Sequence, residues 1–384
     1  MGRGLPLYLS MVLSSLLGFF LFRLSPSSAL GIIIKGVSSQ TTINLILAFY
    51  SITFLQRMME KREHLALAET SLTRLFGSRR INAMVAPFVI GILPSAGAVL
   101  IARPIVDNAA GDSLSVEERC FVSTYFRHIS EIFLPTYATI ILAMTLSGIS
   151  MTSFVLAMLP MVFVLFFLGY IFYVRKIPKS QVPDGVNKKE ELKNLFISLW
   201  AIGLSIILIL SFNMKVHLAV IPVLLLSILV NRFSWEELRP MFVSAFEYKL
   251  IAATLAIMVF KELLVFTGVI DQLPQVFSGL PLPPVVIFGA IFFLGTLLAG
   301  SQAMVAMMMP VSVATLGSDL GVIIFLMSMT YISSQISPTH VCLGIITEAY
   351  ELPFTSLVKK TLPVVVVFVL ISSTYSFLLH FLFG

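Results

Sequence analysis

The chain alternates long apolar segments with short polar ones. About 20 apolar residues in a helix cross the hydrocarbon core of a bilayer, and a helix satisfies all of its own backbone groups there. The pattern therefore predicts an all-α polytopic membrane protein. The apolar runs lie near residues 5–24, 41–57, 82–106, 119–149, 151–174, 194–213, 216–230, 240–267, 284–314, 319–349 and 355–383.

Two of these runs, 82–106 and 284–314, are interrupted by small residues. Interrupted segments at corresponding positions of two halves point to the substrate site of a secondary transporter. We therefore predict two re-entrant hairpins with site-forming tips; the alternative is close helix packing through small residues. The tip residues are Ser95, Ala96 and Gly97 in the first half and Gly300, Ser301 and Gln302 in the second. Ser95, Val99 and Pro104 recur as Ser301, Val305 and Pro310, each 206 positions further along (301 − 95 = 206).

A proline-threonine pair interrupts the segment after each hairpin. The pairs are Pro135-Thr136 and Pro338-Thr339. Proline removes a helical hydrogen bond and disfavours helix in the residue before it, which frees backbone groups. We predict two broken helices, near 119–149 and 319–349, whose freed groups bind an ion or solute. A plain proline kink is the alternative.

Composition agrees with this class. Hydrophobic residues make up 58% of the 384 residues and charged residues 11%, against roughly 25% charged in soluble domains. The net charge of +6 need not indicate nucleic acid, because the basic residues concentrate in a few short loops. We expect the lipid bilayer as partner, and no nucleic acid.

Basic residues also mark one side of the membrane. Lys and Arg collect near 57–80, 175–189 and 232–239, whereas the expected opposite loops near 25–40, 268–283 and 314–319 contribute only Lys35. An excess of Lys and Arg is a property of cytoplasmic loops. We expect the cytoplasmic (inner) membrane, with the N-terminus inside and the C-terminus outside.

Counting crossings gives the domain organisation. With hairpins as zero crossings, the first repeat (1–175) crosses four times, and a cytoplasmic loop with a linker helix (176–213) adds a fifth. The second repeat (214–384) then starts from the other side, so we predict two inverted repeats. For the first apolar run a cleaved signal peptide is the alternative, but the repeat favours a retained helix.

Four ionisable residues flank the predicted breaks: Arg127, His128 and Glu131 before the first and His340 after the second. Ionisable residues at membrane depth are costly and are functional candidates. We expect His128 or Glu131 to bind a coupling proton and Arg127 a substrate carboxylate. The alternative is a structural Arg127–Glu131 pair at i, i+4.

Other ionisable residues have simpler interpretations. Arg103 and Asp107 at i, i+4 predict a local pair, although Arg103 is also a candidate for assisting an anion. Lys261 and Glu262 are expected to snorkel from the outer end of their helix. Glu348 is a further candidate.

The hairpin tips suit ions of either sign. Helix N-termini at the midplane favour an anion, while backbone carbonyls and the side-chain oxygens of Ser95, Ser301 or Gln302 suit Na⁺. We expect Na⁺ or H⁺ as the coupling ion and no cofactor. Cys120 and Cys342 show no spacing typical of a disulfide or a metal site.

The sequence contains no enzyme motif in a context that would support catalysis. No ATPase or metalloprotease motif occurs. Gly111-Asp112-Ser113-Leu114 spells a hydrolase signature, but it falls in a predicted cytoplasmic loop rather than in a soluble α/β domain. Ser115 and Glu118 just after it predict a capping box that starts the next helix.

Three strings of residues resemble the domain-of-unknown-function family 401 of prokaryotic membrane proteins. They are Leu93-Pro94-Ser95-Ala96-Gly97-Ala98 with Pro104, Phe126-Arg127-His128 with Glu131, and Ser337-Pro338-Thr339-His340 through Thr347-Glu348. That family is allied to the ion transporter superfamily, with sodium–dicarboxylate symporters, gluconate and citrate permeases and arsenite pumps. The resemblance implies an elevator-type carrier with a hairpin-bearing transport domain on a homodimeric scaffold. Arg103 and the Ala299–Ala303 tip depart from the sodium–dicarboxylate pattern.

The sequence therefore predicts a secondary active transporter that moves a small organic anion, a carboxylate, with Na⁺ or H⁺. The alternative within transport is a Na⁺/H⁺ antiporter or other inorganic-ion carrier, with Glu131, His128 and Asp107 carrying the exchange. A membrane-embedded enzyme lacks a nucleophile–base–metal set, so we expect no catalytic residues. A structural or assembly protein would leave the interrupted helices without a purpose.

Overall fold

A computed structural model describes residues 6–76, 78–92, 98–179, 186–269, 272, 275–276, 279 and 281–383. The first hairpin tip, with Ser95, Ala96 and Gly97, lies outside the described residues. Within the described parts of the chain every regular element is a helix, which confirms the all-α class. The helices are α1 (Leu7–Leu21), α2 (Pro26–Ser38), α3 (Gln40–Lys61), α4 (His64–Phe76), α5 (Arg79–Ile90), α6 (Ala98–Ala110), α7 (Val116–His128), α8 (Ala138–Ser147), α9 (Met151–Phe172), α10 (Lys188–Ser211), α11 (Val216–Val230), α12 (Trp235–Ala245), α13 (Tyr248–Phe266), α14 (Pro284–Ala299), α15 (Ser301–Leu316), α16 (Leu320–Ser334), α17 (Val341–Ala349) and α18 (Phe354–Phe383).

Long apolar helices alternate with shorter ones. Among the described residues, α9, α10 and α18 are each long and apolar enough to cross a membrane, and α2 with α3 forms a fourth candidate span bent by 44°. Six further apolar helices have 10–17 residues, about 15–25 Å at 1.5 Å per residue, too short for a hydrocarbon core of ~30 Å. Much of the predicted membrane-spanning sequence is thus in interrupted helices.

Local sequence explains where many helices begin. Ser115 and Ser234 each form a capping box, with Glu118 and Glu237 respectively, and the box at Ser115 confirms the sequence prediction. Capping satisfies backbone N–H groups that a helix start leaves unpaired. Side-chain caps also start α2, α3, α9, α10 and α16.

Both predicted hairpins have two helical arms in contact. Helix α5 packs against α6, and α14 packs against α15. Gly300 separates α14 from α15 with a φ of +87° and a ψ of 157°, a conformation that is essentially restricted to glycine. The break between the arms of the second hairpin therefore depends on this residue.

The segments after the hairpins are broken, as predicted. Helix α7 passes through a 3₁₀ turn (Ile129–Ile132) and ends before Pro135, and α8 starts at Ala138. Helix α16 ends at Ser334, and α17 starts at Val341, three residues after Pro338. Both breaks fit the loss of a donor and the backbone restriction that proline imposes.

Contacts between the two halves are reciprocal. Helix α1 packs on α13 while α11 packs on α3, and α2 packs on α13 while α12 packs on α3. In the same way, α8 packs on α15 while α17 packs on α6, and α7 packs on α18 while α16 packs on α9. Helices at corresponding places in the two halves thus take equivalent partners from the opposite half.

Three expectations about loops and spans were wrong. The segment near 25–40, expected to be a loop, forms α2, because Ser25 caps it and Pro26 suits a first helical position. Its Lys35 pairs with Glu262, so snorkelling alone does not explain Glu262. The run 240–267 is two helices, α12 and α13, and α4 is an additional helix in the basic segment 57–80.

Candidate functional site

A polar cavity lies where the second hairpin tip faces both broken helices. Its volume is about 380 Å³. It combines hydroxyl groups with one carboxylate and one imidazole inside an otherwise apolar helical bundle, which suits a small polar or charged solute. The lining residues that the argument uses are Glu131, Tyr137, Gly300, Ser301, Gln302, Thr339 and His340.

Three helices begin at this cavity. Helix α8 starts after Tyr137, α15 after Gly300 and α17 after His340, and all three of these residues line the cavity. Within the described residues none of the three starts has a side-chain cap. A helix N-terminus carries about half a positive charge together with unpaired N–H groups, so the three together give this cavity a positive electrostatic character.

The Glu131 carboxylate lies among three basic groups. Its Oε1 atom is 3.7 Å from an Arg127 guanidinium nitrogen, 3.6 Å from Nε2 of His128 and 3.9 Å from Nε2 of His340. All three distances exceed that of a direct hydrogen bond. Glu131 therefore has favourable charge neighbours and keeps room at its oxygen for a proton, an ion or a solute.

The His128 ring is held from both sides. Its Nδ1 atom lies 2.6 Å from the carbonyl oxygen of Thr124, and its Nε2 atom lies 2.9 Å from a guanidinium nitrogen of Arg127. A carbonyl oxygen only accepts, so the tautomer with the proton on Nδ1 satisfies both contacts. Arg127 itself is 1% exposed and lies behind Glu131 rather than in the cavity wall.

The end of α5 fixes the backbone of the first break. The carbonyl oxygen of Gly91 accepts hydrogen bonds from the hydroxyls of Ser130 (2.6 Å) and Tyr137. A Cβ atom at Gly91 would lie 2.0 Å from the carbonyl oxygen of Arg127, so only glycine fits. Sequence reasoning missed Gly91, Ser130 and Tyr137, because their signal is a close backbone approach between distant segments.

A second cavity leads away from the first. It has a volume of about 490 Å³, and Gln302 lines both. Its lining also includes Thr136 beside the first break and Glu247 and Lys249 at the start of α13. The second cavity thus adjoins the polar cavity at Gln302 and reaches the charged end of the bundle, where Arg57 pairs with Glu247.

Several buried oxygen atoms beside these cavities lack partners. Thr136 Oγ1, Thr296 Oγ1 and the Tyr331 hydroxyl are buried and make no hydrogen bond within the described residues. Buried polar groups in native proteins are almost always paired. These atoms are therefore candidates to contact a solute, an ion or water.

Six of the fourteen predicted site residues line the polar cavity, namely Glu131, Gly300, Ser301, Gln302, Thr339 and His340. Pro135 is buried and Pro338 is exposed, and neither lines the polar cavity. Both instead lie in the breaks between their helices. Thr136 faces the second cavity, while Thr339 faces the first. Glu348 is exposed on α17.

The expected role of Arg103 in assisting an anion is not supported. Its guanidinium hydrogen-bonds the carbonyl oxygen of Ala349 at the end of α17 and lies over the ring of Tyr350. The local pair with Asp107 is present at 3.5 Å, and Asp107 also accepts from the Tyr350 hydroxyl at 2.9 Å. A cation at a helix C-terminus stabilises that helix, so Arg103 and Asp107 tie α6 to α17.

Interrupted apolar helices around a polar cavity, with several further apolar helices, define a multi-pass membrane protein. The chain belongs to the family described as "Protein of unknown function (DUF401)", whose sequence profile matches residues 6–378. The resemblance seen in the sequence is thereby confirmed.

Comparison with solved structures supports the fold. The chain is similar to the YdaH transporter of Alcanivorax borkumensis, whose crystal structure is described as revealing an unusual topology. The TM-score is 0.56 at 12% sequence identity, with 98% of each chain covered. At this identity the likeness concerns the fold alone. No curated protein matches the chain.

Proposed function

We propose that the protein is a secondary active transporter that moves a small organic anion, a carboxylate, together with Na⁺ or H⁺. The observation that carries the proposal is the meeting of three uncapped helix starts at one polar cavity. At about half a positive charge each, they offer more than one elementary charge to a carboxylate.

Glu131 provides the coupling step in this proposal. A carboxylate solute beside the Glu131 carboxylate is repelled unless a cation or proton lies between them. Occupation of Glu131 by Na⁺ or H⁺ removes that repulsion, so cation and anion bind together. Entry of an anion against an inside-negative potential costs ~2.3 kcal/mol per charge per 100 mV, and the coupling cation offsets this cost.

The fold supports inverted repeats and an elevator-type movement. Reciprocal contacts between the halves, such as α1 on α13 and α11 on α3, are those of a pseudo-two-fold arrangement. In the proposal α5–α8 and α14–α17 move against a scaffold that contains α1–α3 and α11–α13. The scaffold forms a homodimer in the cytoplasmic membrane, with the N-terminus inside.

The second cavity gives the proposed direction of access. Its charged end at Glu247 and Lys249 adjoins the basic side of the chain, which the distribution of Lys and Arg assigns to the cytoplasm. The proposed conformation is therefore open to the cytoplasm.

The antiporter alternative requires an ion path without an anion site. Of its three expected residues, Glu131 and His128 lie at the cavity, whereas Asp107 is engaged by Arg103, Arg119 and Tyr350. The uncapped helix starts favour the anion carrier.

A thermal-shift screen of the purified full-length protein tests the anion assignment. Mono- and dicarboxylates, sugar acids, neutral sugars and organic cations are compared at equal concentration, with and without Na⁺. Carboxylates or sugar acids should raise the unfolding temperature in a saturable manner, and more so with Na⁺ or at lower pH. Stabilisation by neutral or cationic compounds only would reject the anion assignment and favour the antiporter.

A further inference from the structure

We propose that His128, His340, Cys342 and Glu131 form a binding site for a Zn²⁺-like transition-metal ion between the two broken helices. One nitrogen of each histidine and the Cys342 sulfur lie within 4.8 Å of one another. The Glu131 carboxylate oxygen lies 3.6 Å and 3.9 Å from the two histidine Nε2 atoms. Four protein ligands of these types are the set that Zn²⁺ takes in a tetrahedral site.

In each histidine a backbone carbonyl oxygen holds Nδ1, which orients the ring so that Nε2 can act as the metal ligand. His128 presents Nδ1 to the carbonyl oxygen of Thr124 at 2.6 Å, and His340 presents Nδ1 to that of Ser334 at 3.0 Å. Both contacts favour the tautomer with the proton on Nδ1. They leave Nε2, which lies 3.6 Å (His128) and 3.9 Å (His340) from the Glu131 carboxylate, as the metal-binding nitrogen. Metal-binding histidines characteristically donate their other N–H to a carbonyl or carboxylate in this way.

Part of the spacing between the ligand atoms is already that of an ion site. Bonds of about 2.0–2.3 Å in a tetrahedral geometry place neighbouring ligand atoms roughly 3.3–3.8 Å apart. The Glu131–histidine separations already fall in or next to this range. The ligand atoms of His128, His340 and Cys342 lie up to 4.8 Å apart, so binding of an ion requires side-chain rotations that bring them and Glu131 closer together. His340 and Glu131 line the polar cavity, which supplies the route of entry.

Arg127 is the competing cation in this site. Its guanidinium nitrogen lies 2.9 Å from Nε2 of His128 and 3.7 Å from the Cys342 sulfur. Ion binding therefore exchanges the Arg127–His128 contact for a metal bond, and the Cys342 thiol loses its proton to solvent. The thiolate and the Glu131 carboxylate offset the added positive charge.

Cobalt spectroscopy of the purified full-length protein tests the proposal. Co²⁺ replaces Zn²⁺ in tetrahedral sites and absorbs visibly, and a thiolate ligand adds a charge-transfer band in the near ultraviolet. We expect one Co²⁺ per chain, with both features, and their loss on addition of Zn²⁺. Absence of the thiolate band in the wild-type protein would overturn the proposal.

The two cysteines provide a matched pair of variants. Cys120 and Cys342 are both buried, but Cys120 is not part of the cluster. Cys342→Ser should abolish the charge-transfer band, and Cys120→Ser should keep it; a band that persists in Cys342→Ser, or disappears only in Cys120→Ser, contradicts the site.

Gel filtration shows whether the Cys342→Ser variant is folded. If it is not, a second variant, His340→Gln, tests the site instead. His340→Gln should weaken Co²⁺ binding by more than about 100-fold, the upper end of what loss of a second-shell partner costs, and unchanged affinity would contradict the site. The readout is a bound ion, so it is independent of whether the protein transports an anion.

Discussion

The Glu131 carboxylate lies 3.9 Å from Nε2 of His340, although 209 positions separate the two residues (340 − 131 = 209). Glu131 precedes the proline of the first break, and His340 follows the proline of the second. The two halves therefore meet through their interrupted helices, and each contributes an ionisable group to one cavity.

Glycine at the second hairpin tip should matter for solute binding as well as for stability. Gly300 (φ +87°) precedes α15 and Gly317 (φ +81°) follows it, and neither would suffer a steric clash from a Cβ atom. Alanine at either position should destabilise the protein by a similar amount, on the order of 1–3 kcal/mol of backbone strain. Only Gly300→Ala should also weaken ligand binding, measured by thermal shift across a ligand titration. Equal ligand affinity in both variants would show that the tip is not at the site.

A bulky side chain in place of Ser301 should abolish transport. Ser301 is the first residue of α15 and lines the polar cavity, so Ser301→Leu fills space that the solute needs. Thr315→Leu, at the other end of the same helix, is the control and should retain uptake. We expect the same loss for Ser95→Leu. Full activity of both Ser95→Leu and Ser301→Leu would mean that the tips serve only in packing.

The charge of Arg127 should support anion binding from behind Glu131. Arg127→Gln should raise the apparent KM for the solute about tenfold or more. The guanidinium lies 3.7 Å from the Glu131 carboxylate, so its loss leaves a negative charge that repels the anion less compensated, and an interaction with a charged group contributes ~1.5–3 kcal/mol. Lys261→Gln, on α13 outside the cavity, should change KM little. Arg103→Gln should lower the unfolding temperature without raising KM, because Arg103 contacts the end of α17. An unchanged KM in Arg127→Gln would remove Arg127 from the site.

The topology can be tested by cysteine labelling in intact cells. Lys179 and Pro281 are exposed, and both native cysteines are buried. An impermeant maleimide should label Pro281→Cys from outside, and should label Lys179→Cys only after the membrane is opened. The expectation extends to the 176–190 loop and to 270–282. Labelling of the basic loop from outside would contradict the inverted repeats.

The apolar runs of the sequence and the helix-breaking residues within them predicted most of the helical architecture. Pro135 and Pro338 end their helices for local reasons that act within one turn, so both breaks could be expected. The small residues at 300–302 likewise predicted an interruption, which the structure shows at Gly300. The α2 helix was missed, because its 13 residues are fewer than a membrane span needs.

The contacts between residues far apart in the chain could not be predicted from the sequence. The pairing of Arg103 with Asp107 followed from i, i+4 spacing, but its contacts with Ala349 and Tyr350 depend on how α6 meets α17. The His128, His340 and Cys342 cluster joins residues from opposite halves, so no local spacing reveals it. The uncapped helix starts also become a common site only when the halves pack together.

Uptake into proteoliposomes is the most direct measurement of the central claim. Purified protein is reconstituted with an imposed Na⁺ or proton gradient, and uptake of the carboxylate identified by thermal shift is followed. The cation gradient should drive accumulation in the wild type and in Glu348→Gln, whose side chain is exposed on α17. Glu131→Gln should keep anion exchange without a gradient but lose gradient-driven accumulation. Cation exchange without carboxylate movement, or full cation-driven accumulation by Glu131→Gln, would contradict the account.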